Sequence, residues 1–173
     1  MITDADASHD HIAGSPGGRA EMTLSAAPDL AGSMPRIERV MLLQTVPLFK
    51  FCTVEEVLRI AGIADVVGFG EGELVFRTGE SARALYCVVE GRVRIEGDGV
   101  ETREIGPRRS FGVLEILSGR LRRATARALE PTRALQIEAE DFFDLLSNNI
   151  EIVKALFREI LDAPAGAKRG GLA

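Results

Sequence analysis

The sequence predicts an α+β, mainly β, domain: an antiparallel β-roll or jelly roll of about eight strands flanked by N-terminal and C-terminal helices. Three observations predict it. Between residues 65 and 138 apolar and polar residues alternate in short runs, VVGF, ELVFR, RALYCVVE, RVRIEG, TREIG, RRATARAL and TRALQI, the period of a half-buried strand. Turn residues separate these runs at Gly70 to Gly72, Gly79, Gly91, Gly97-Asp98-Gly99 and Gly106-Pro107, a spacing typical of an antiparallel sandwich or roll. On either side the apolar period lengthens to that of a helix.

The elements follow in order. Residues 1–35 are rich in Gly, Ala, Ser, Pro and Asp without an apolar period and read as a flexible tail. Residues 163–173 read as a second tail, which leaves 36–162 as the domain. From Ile37 to Val46 a helix marked by Val40, Met41 and Leu43 leads into a turn at Pro47 and Leu48. Thr53 followed by Glu56 forms a capping box that opens a second helix through Val54, Val57, Leu58 and Ile60. After the strands, 141–146 and 150–161 return to helix. In the last, Val153, Leu156, Phe157, Ile160 and Leu161 form an apolar stripe at helical spacing.

Charge and composition exclude several function classes. The chain of 173 residues carries a net charge of −5, and five acids against one base before Arg36 account for most of it. The domain is therefore close to neutral, without the basic stripe of a nucleic-acid binder. No run of eighteen apolar residues occurs, so membrane insertion is not expected. Asp4 and Asp6 stand where a secretory signal needs positive charge, and no apolar segment follows; a cytoplasmic location is expected. Cys52 and Cys87 lie in apolar segments and fit no metal spacing. They read as buried free thiols of a reducing compartment, with a single disulfide as the alternative. His9 and His11 both fall in the first tail. The strands thus lack the histidine cluster of a metal-dependent jelly-roll enzyme, and neither a metal site nor an enzymatic activity is expected.

The chemistry concentrates in SFGVLEILSGRLRRAT, residues 110–125, where Arg120, Arg122 and Arg123 follow a glycine turn and a short apolar stretch. Gly112 permits close backbone approach to a ligand. A short helix over 112–117 would aim its first N–H groups outward as an anion seat. In RRATARAL, alternation sets Arg122, Ala124, Ala126 and Ala128 on one small, inward face. Arg122 is the charged member of that row, and a phosphate suits its bidentate fork. An internal carboxylate is the alternative partner.

From about Glu38 to Leu161 the chain resembles the cyclic nucleotide-binding domain family, the β-roll sensor of catabolite-activator-type transcription factors, protein kinase A regulatory subunits and cyclic-nucleotide-gated channels. VPLFKFCTVEEVLRIA resembles its N-terminal helices, GELVFRTGE its second strand and turn, ALYCVVEGRVRI its hairpin with Gly91, and IGPRRSFG the approach to its phosphate-binding cassette. The resemblance implies that the ligand-binding residues are Phe111, Gly112, Val113, Leu114, Arg122 and Arg123. Gly112 matches the glycine whose N–H meets the nucleotide, and Arg122 matches the arginine that pairs with the cyclic phosphate. Val113 stands where a glutamate grips the ribose hydroxyl, Arg123 where a small residue is common, and Leu121 where a proline is common. Two residues along a helix is a turn of about 200°, so Glu115 is expected to face solvent rather than replace that glutamate. A hydrogen bond to a charged acceptor is worth roughly 1.5–3 kcal/mol, so its loss would weaken a ligand by about ten- to more than a hundredfold.

The resemblance implies a regulatory domain that binds a small phosphate-bearing ligand, cAMP or cGMP being the candidates, and signals through its C-terminal helix. The alternative is a ligand-free domain serving protein interaction or dimerisation. No cofactor is expected. Only about eleven residues follow Asp162, too few for a helix-turn-helix, so the expected output is a partner protein or a homodimer rather than DNA.

Overall fold

The computed structural model of the chain describes residues 31–162. His9, His11 and nearly all of both expected tails lie outside the described residues. Met34, two residues before the expected boundary at Arg36, is already packed: it is buried and its carbonyl accepts a hydrogen bond from Arg39 Nε at 3.0 Å.

Helix α1 spans Arg36–Leu43, and a 3-10 turn at Pro47–Phe49 leads to α2, Val54–Ile63. The capping box at the start of α2 is complete: Thr53 Oγ1 accepts from the Glu56 N–H at 3.3 Å, and the Glu56 carboxylate accepts from the Thr53 N–H at 2.6 Å. Helix α1 buries Val40 and Leu43 and leaves Met41 exposed. Met41 lies four residues beyond exposed Ile37, on the opposite face from the core.

Eight strands follow: β1 Asp65–Phe69, β2 Leu74–Phe76, β3 Ala84–Glu90, β4 Val93–Gly97, β5 Val100–Ile105, β6 Ser110–Phe111, β7 Thr125–Ala128 and β8 Thr132–Glu138. A short helix, α3 at Val113–Ser118, separates β6 from β7, and α4 (Ala139–Asn148) and α5 (Ile150–Asp162) end the domain. The strands form two antiparallel sheets, ordered β1-β8-β3-β6 and β2-β7-β4-β5, which is the roll expected from the strand count and turn spacing. The Asp98-Gly99 turn joins β4 to β5, pairing Gly97 with Val100. Strand β6 was not evident as a separate run, since it is two residues long and is held by pairing with Tyr86 and Cys87.

Strand β3 organises the interior because both of its faces are buried. Leu85 and Cys87 point into a core shared with the helices, beside Leu135, Ile137, Phe142 and Leu43. Ala84, Tyr86 and Val88 point the other way, into the space between the sheets with Phe76, Ile95, Phe111 and Ala126. In α5, Ile152 and Leu156 are buried, Val153 is half-buried and Phe157 is exposed; the side chains of Ile160 and Leu161 lie outside the described residues. No helix among the described residues is long and apolar enough to cross a membrane, and none of their His, Cys, Asp and Glu side chains cluster as metal ligands.

Cys52 and Cys87 are free thiols, and burial pushes each up to about 12. At pH 8 the fully buried Cys87 should react with a thiol-exchange reagent only as fast as the domain opens, and more slowly than the half-buried Cys52, whereas a rapid reaction of Cys87 would show that β3 is not buried. Gly91 has φ +86°, and a Cβ there would sit 2.4 Å from Thr132 Oγ1 and 2.6 Å from the Pro131 carbonyl oxygen. Gly91→Ala should therefore lower stability by roughly 3 kcal/mol, read from urea unfolding.

Candidate functional site

The site is assembled where β6, α3 and the approach to β7 meet. Phe111 in β6 stacks on Tyr86 at 5.2 Å between ring centres, and Phe76 tilts against both rings. Gly112 then turns the chain with φ +84°, a conformation that a side chain would resist. A Cβ at Gly112 would also lie 2.7 Å from Nη1 of Arg122. The chain runs through α3 and returns past Arg120 to Arg122, whose backbone is pinned to the turn after β2. The Arg122 N–H donates to the Glu80 carbonyl at 2.8 Å, and the Gly79 N–H donates to the Arg122 carbonyl at 2.8 Å. This pairing precedes β7, which begins at Thr125 rather than at Arg122.

The inward row expected from RRATARAL is realised: Arg122, Ala124, Ala126 and Ala128 are all buried. Arg122 is 3% exposed. Its Nη1 donates to the Gly112 carbonyl at 2.8 Å, its Nη2 donates to the Ala84 carbonyl, and its guanidinium carbon lies 4.0 Å from the centre of the Phe76 ring. The nearest anion is Glu115, 3.9 Å from Nη1, within ion-pair range but too long for a hydrogen bond. Burial pulls the Arg122 pKa down, and the charges of Glu115, then Tyr86 and Glu80, act against that pull.

Beside this assembly lies a cavity of about 330 Å³, at the lower end of the range for small-molecule sites. The β4–β5 hairpin contributes Ile95, Gly99, Val100, Glu101 and Arg103; α3 contributes Leu114 and Glu115; Phe76, Arg123 and Ala124 complete the wall. Of the residues singled out from sequence, Leu114 and Arg123 line the cavity. Phe111, Gly112, Val113 and Arg122 are buried and are not among the lining residues, although Arg122 touches two that are, Phe76 and Glu115.

Two positions differ from expectation for one reason, the rotational phase of α3. Val113 is fully buried in the helical core together with Ile116, three residues on, so its side chain is a packing element. Glu115 was expected to face solvent; instead its side chain is only 15% exposed, lines the cavity and faces Arg122. The 200° separation of these residues is as expected, but the side facing the cavity is the one carrying Glu115.

Arg103 was not anticipated. In the ladder it stands opposite Ile95, which in turn stands opposite Ala126, so all three share the inner face. The signal available was the alternation of Glu101, Arg103 and Ile105 in VETREI, with Ile105 buried. Burial lowers the Arg103 pKa, opposed by the charges of Glu115 and Glu101.

Arg122→Ala should lower stability by about 2–4 kcal/mol, because two buried carbonyls lose their donors. Gly112→Ala should cost less in the Arg122→Ala background than alone, since the guanidinium it would strike is gone. A double-mutant cycle of urea unfolding checks this, and strict additivity would contradict it.

Residues 66–149 match the cyclic nucleotide-binding domain family. A putative potassium channel protein of Rhodopseudomonas palustris is 32% identical over 124 residues, covering 70% of this chain and 30% of the channel. The cyclic AMP receptor protein of Thermus thermophilus is 30% identical over 105 residues, covering 58% of this chain and 49% of that protein. The chain thus spans less than half the length of these curated relatives. Among solved structures, the sensor domain of the transcriptional regulator DNR from Pseudomonas aeruginosa superposes with a TM-score of 0.64 at 22% identity, over 73% of this chain and 89% of that one. That last likeness is one of fold.

Proposed function

The folded domain of this chain belongs to the cyclic nucleotide-binding domain family, and on that premise we propose that its cavity binds a small phosphate-bearing ligand of the cAMP or cGMP kind and that α5 transmits the occupancy. The observation that carries this reading is Leu114. It lines the cavity, and it also lines an apolar groove of about 390 Å³ shared with Leu117, Leu146, Val153, Leu156 and Phe157. Helix α3 therefore stands between a ligand-sized space and the underside of α5. A ligand that shifts α3 alters the groove that α3, α4 and α5 line together.

The cavity chemistry suits such a ligand. Phe76, Ile95, Val100 and Leu114 offer apolar walls to a flat ring. Glu101 and Glu115 can accept hydrogen bonds from sugar hydroxyls, and Arg103 and Arg123 supply positive charge for a phosphate. The ribose-gripping role that the resemblance set at Val113 passes to Glu115 in this reading. The output is a partner protein or a second copy of the chain.

A second reading, a ligand-free interaction module, is favoured by one observation. Ile37 and Met41, each 64% exposed, place two apolar side chains on one face of α1.

Calorimetric titration with cAMP and cGMP, paired with hydrogen exchange of α5, distinguishes these readings. Binding should be accompanied by changed exchange over Ile150–Leu156. Leu114→Ala should change affinity only a few-fold while abolishing the α5 response. Absence of heat and of any thermal shift at millimolar nucleotide would overturn the sensor reading and leave the interaction module.

A further inference from the structure

The wall of the cavity carries two arginines, Arg103 and Arg123, and two glutamates, Glu101 and Glu115. Their formal charges cancel, so the wall by itself does not favour an anion. The two glutamates differ in where their charge lies. Glu101 is exposed on β5. The Glu115 side chain is largely buried, and its Oε2 stands 3.9 Å from Nη1 of the buried Arg122.

Glu115 also serves more than one guanidinium. Burial lowers the pKa of both Arg103 and Arg122, and at each the charge that opposes this most is Glu115, joined by Glu101 at Arg103 and by Tyr86 and Glu80 at Arg122. The fold keeps the carboxylate there. Val113 and Ile116 anchor α3 in the helical core, and the Arg120 N–H donates to the Glu115 carbonyl at 3.0 Å where the helix ends. Yet the ion pair with Arg122 is too long for a direct hydrogen bond, so none is broken when another anion takes the place of the carboxylate. An anion entering the cavity competes with Glu115 for the same guanidiniums and is repelled by it across a few ångströms.

We infer that Glu115 is the charge-selectivity residue of the cavity: its carboxylate is a built-in anion beside Arg122 and Arg103 that limits how much affinity a phosphate adds to a ligand. The inference rests on the ligand-binding reading above and deepens it, since the group that accepts sugar hydroxyls also opposes the phosphate attached to the same sugar. Phosphodiesters and phosphomonoesters are both anions and meet the same opposition.

Calorimetric titrations of the full chain measure this as a ratio, the affinity of a nucleotide over that of its nucleoside. The probes are cAMP and cGMP as cyclic diesters, AMP and GMP as monoesters, and adenosine and guanosine as uncharged partners. Glu115→Gln keeps a hydrogen-bond acceptor and removes the charge, and should raise the ratio by about ten- to a hundredfold. Glu115→Asp, which keeps the charge, should hold the wild-type ratio. The probe that gains most distinguishes diester from monoester as the better fit. Melting temperatures give a readout that needs no nucleotide. In chloride Glu115→Gln should melt below the wild type, because two partly buried guanidiniums lose an anion. Inorganic phosphate at equal ionic strength should raise its melting temperature more than that of the wild type or of Glu130→Gln, at an exposed acid outside the cavity.

An unchanged or smaller ratio in Glu115→Gln would overturn the inference while sparing the ligand-binding reading. If no nucleotide binds either protein at millimolar concentration, the ligand-binding reading falls, and the melting temperatures decide the inference: an equal response to phosphate in wild type and Glu115→Gln makes the pair purely structural and overturns it.

Discussion

The structure depends on one buried charge. The guanidinium of Arg122 joins three parts of the chain distant in sequence: the Gly112 carbonyl at the start of α3, the Ala84 carbonyl at the start of β3, and the face of Phe76 in β2. Its backbone extends the same link to the turn at Gly79 and Glu80. A charged group in this position is tolerated because hydrogen bonds to charged donors are strong and because Glu115 lies close enough to offset part of the desolvation. The constraint works in both directions. Gly112 must be glycine because the guanidinium occupies the space of a Cβ, and Ala124, Ala126 and Ala128 stay small because the row begun by Arg122 lies inside the roll.

This arrangement divides residues 111–124 into two halves. Its interior half, Phe111, Gly112, Val113 and Arg122, is packed, hydrogen-bonded and closed to solvent. Its outer half, Leu114, Glu115, Arg123 and Ala124, opens onto the cavity that the β4–β5 hairpin completes. The closed half fixes the phase of α3, and that phase decides that a carboxylate rather than a valine faces the cavity. Leu114 also lines the groove shared with α4 and α5, so the rigid half fixes where α3 stands relative to both spaces.

Elements with local signatures were legible in the sequence. The Thr53–Glu56 capping box, the Asp98-Gly99 hairpin and the buried alternation of Arg122 and the alanines that follow depend on neighbours a few residues apart, and each is found as expected. What depended on distant pairing was not legible. Strand β6 exists only through its register with Tyr86 and Cys87. Arg103 faces inward only because its strand pairs with β4 at Ile95. The directions of Met41 and Glu115 follow from which side of a short helix meets the core, and in a one- or two-turn helix a polar or apolar residue can sit on either side of that boundary. Which side chains of residues 110–125 open onto the cavity follows from the phase of α3 and the pairing of β5, and neither is written in the local sequence.

The most direct test of the central role given to Arg122 is the solvent exchange of its side-chain Nε–H proton, followed by NMR on the ligand-free domain. A group closed inside the roll should exchange only with opening of the whole domain, at rates matching those of the slowest amides in β3. Exchange on the time scale of exposed arginines would mean that the guanidinium swings out freely, and would contradict a structure built around it.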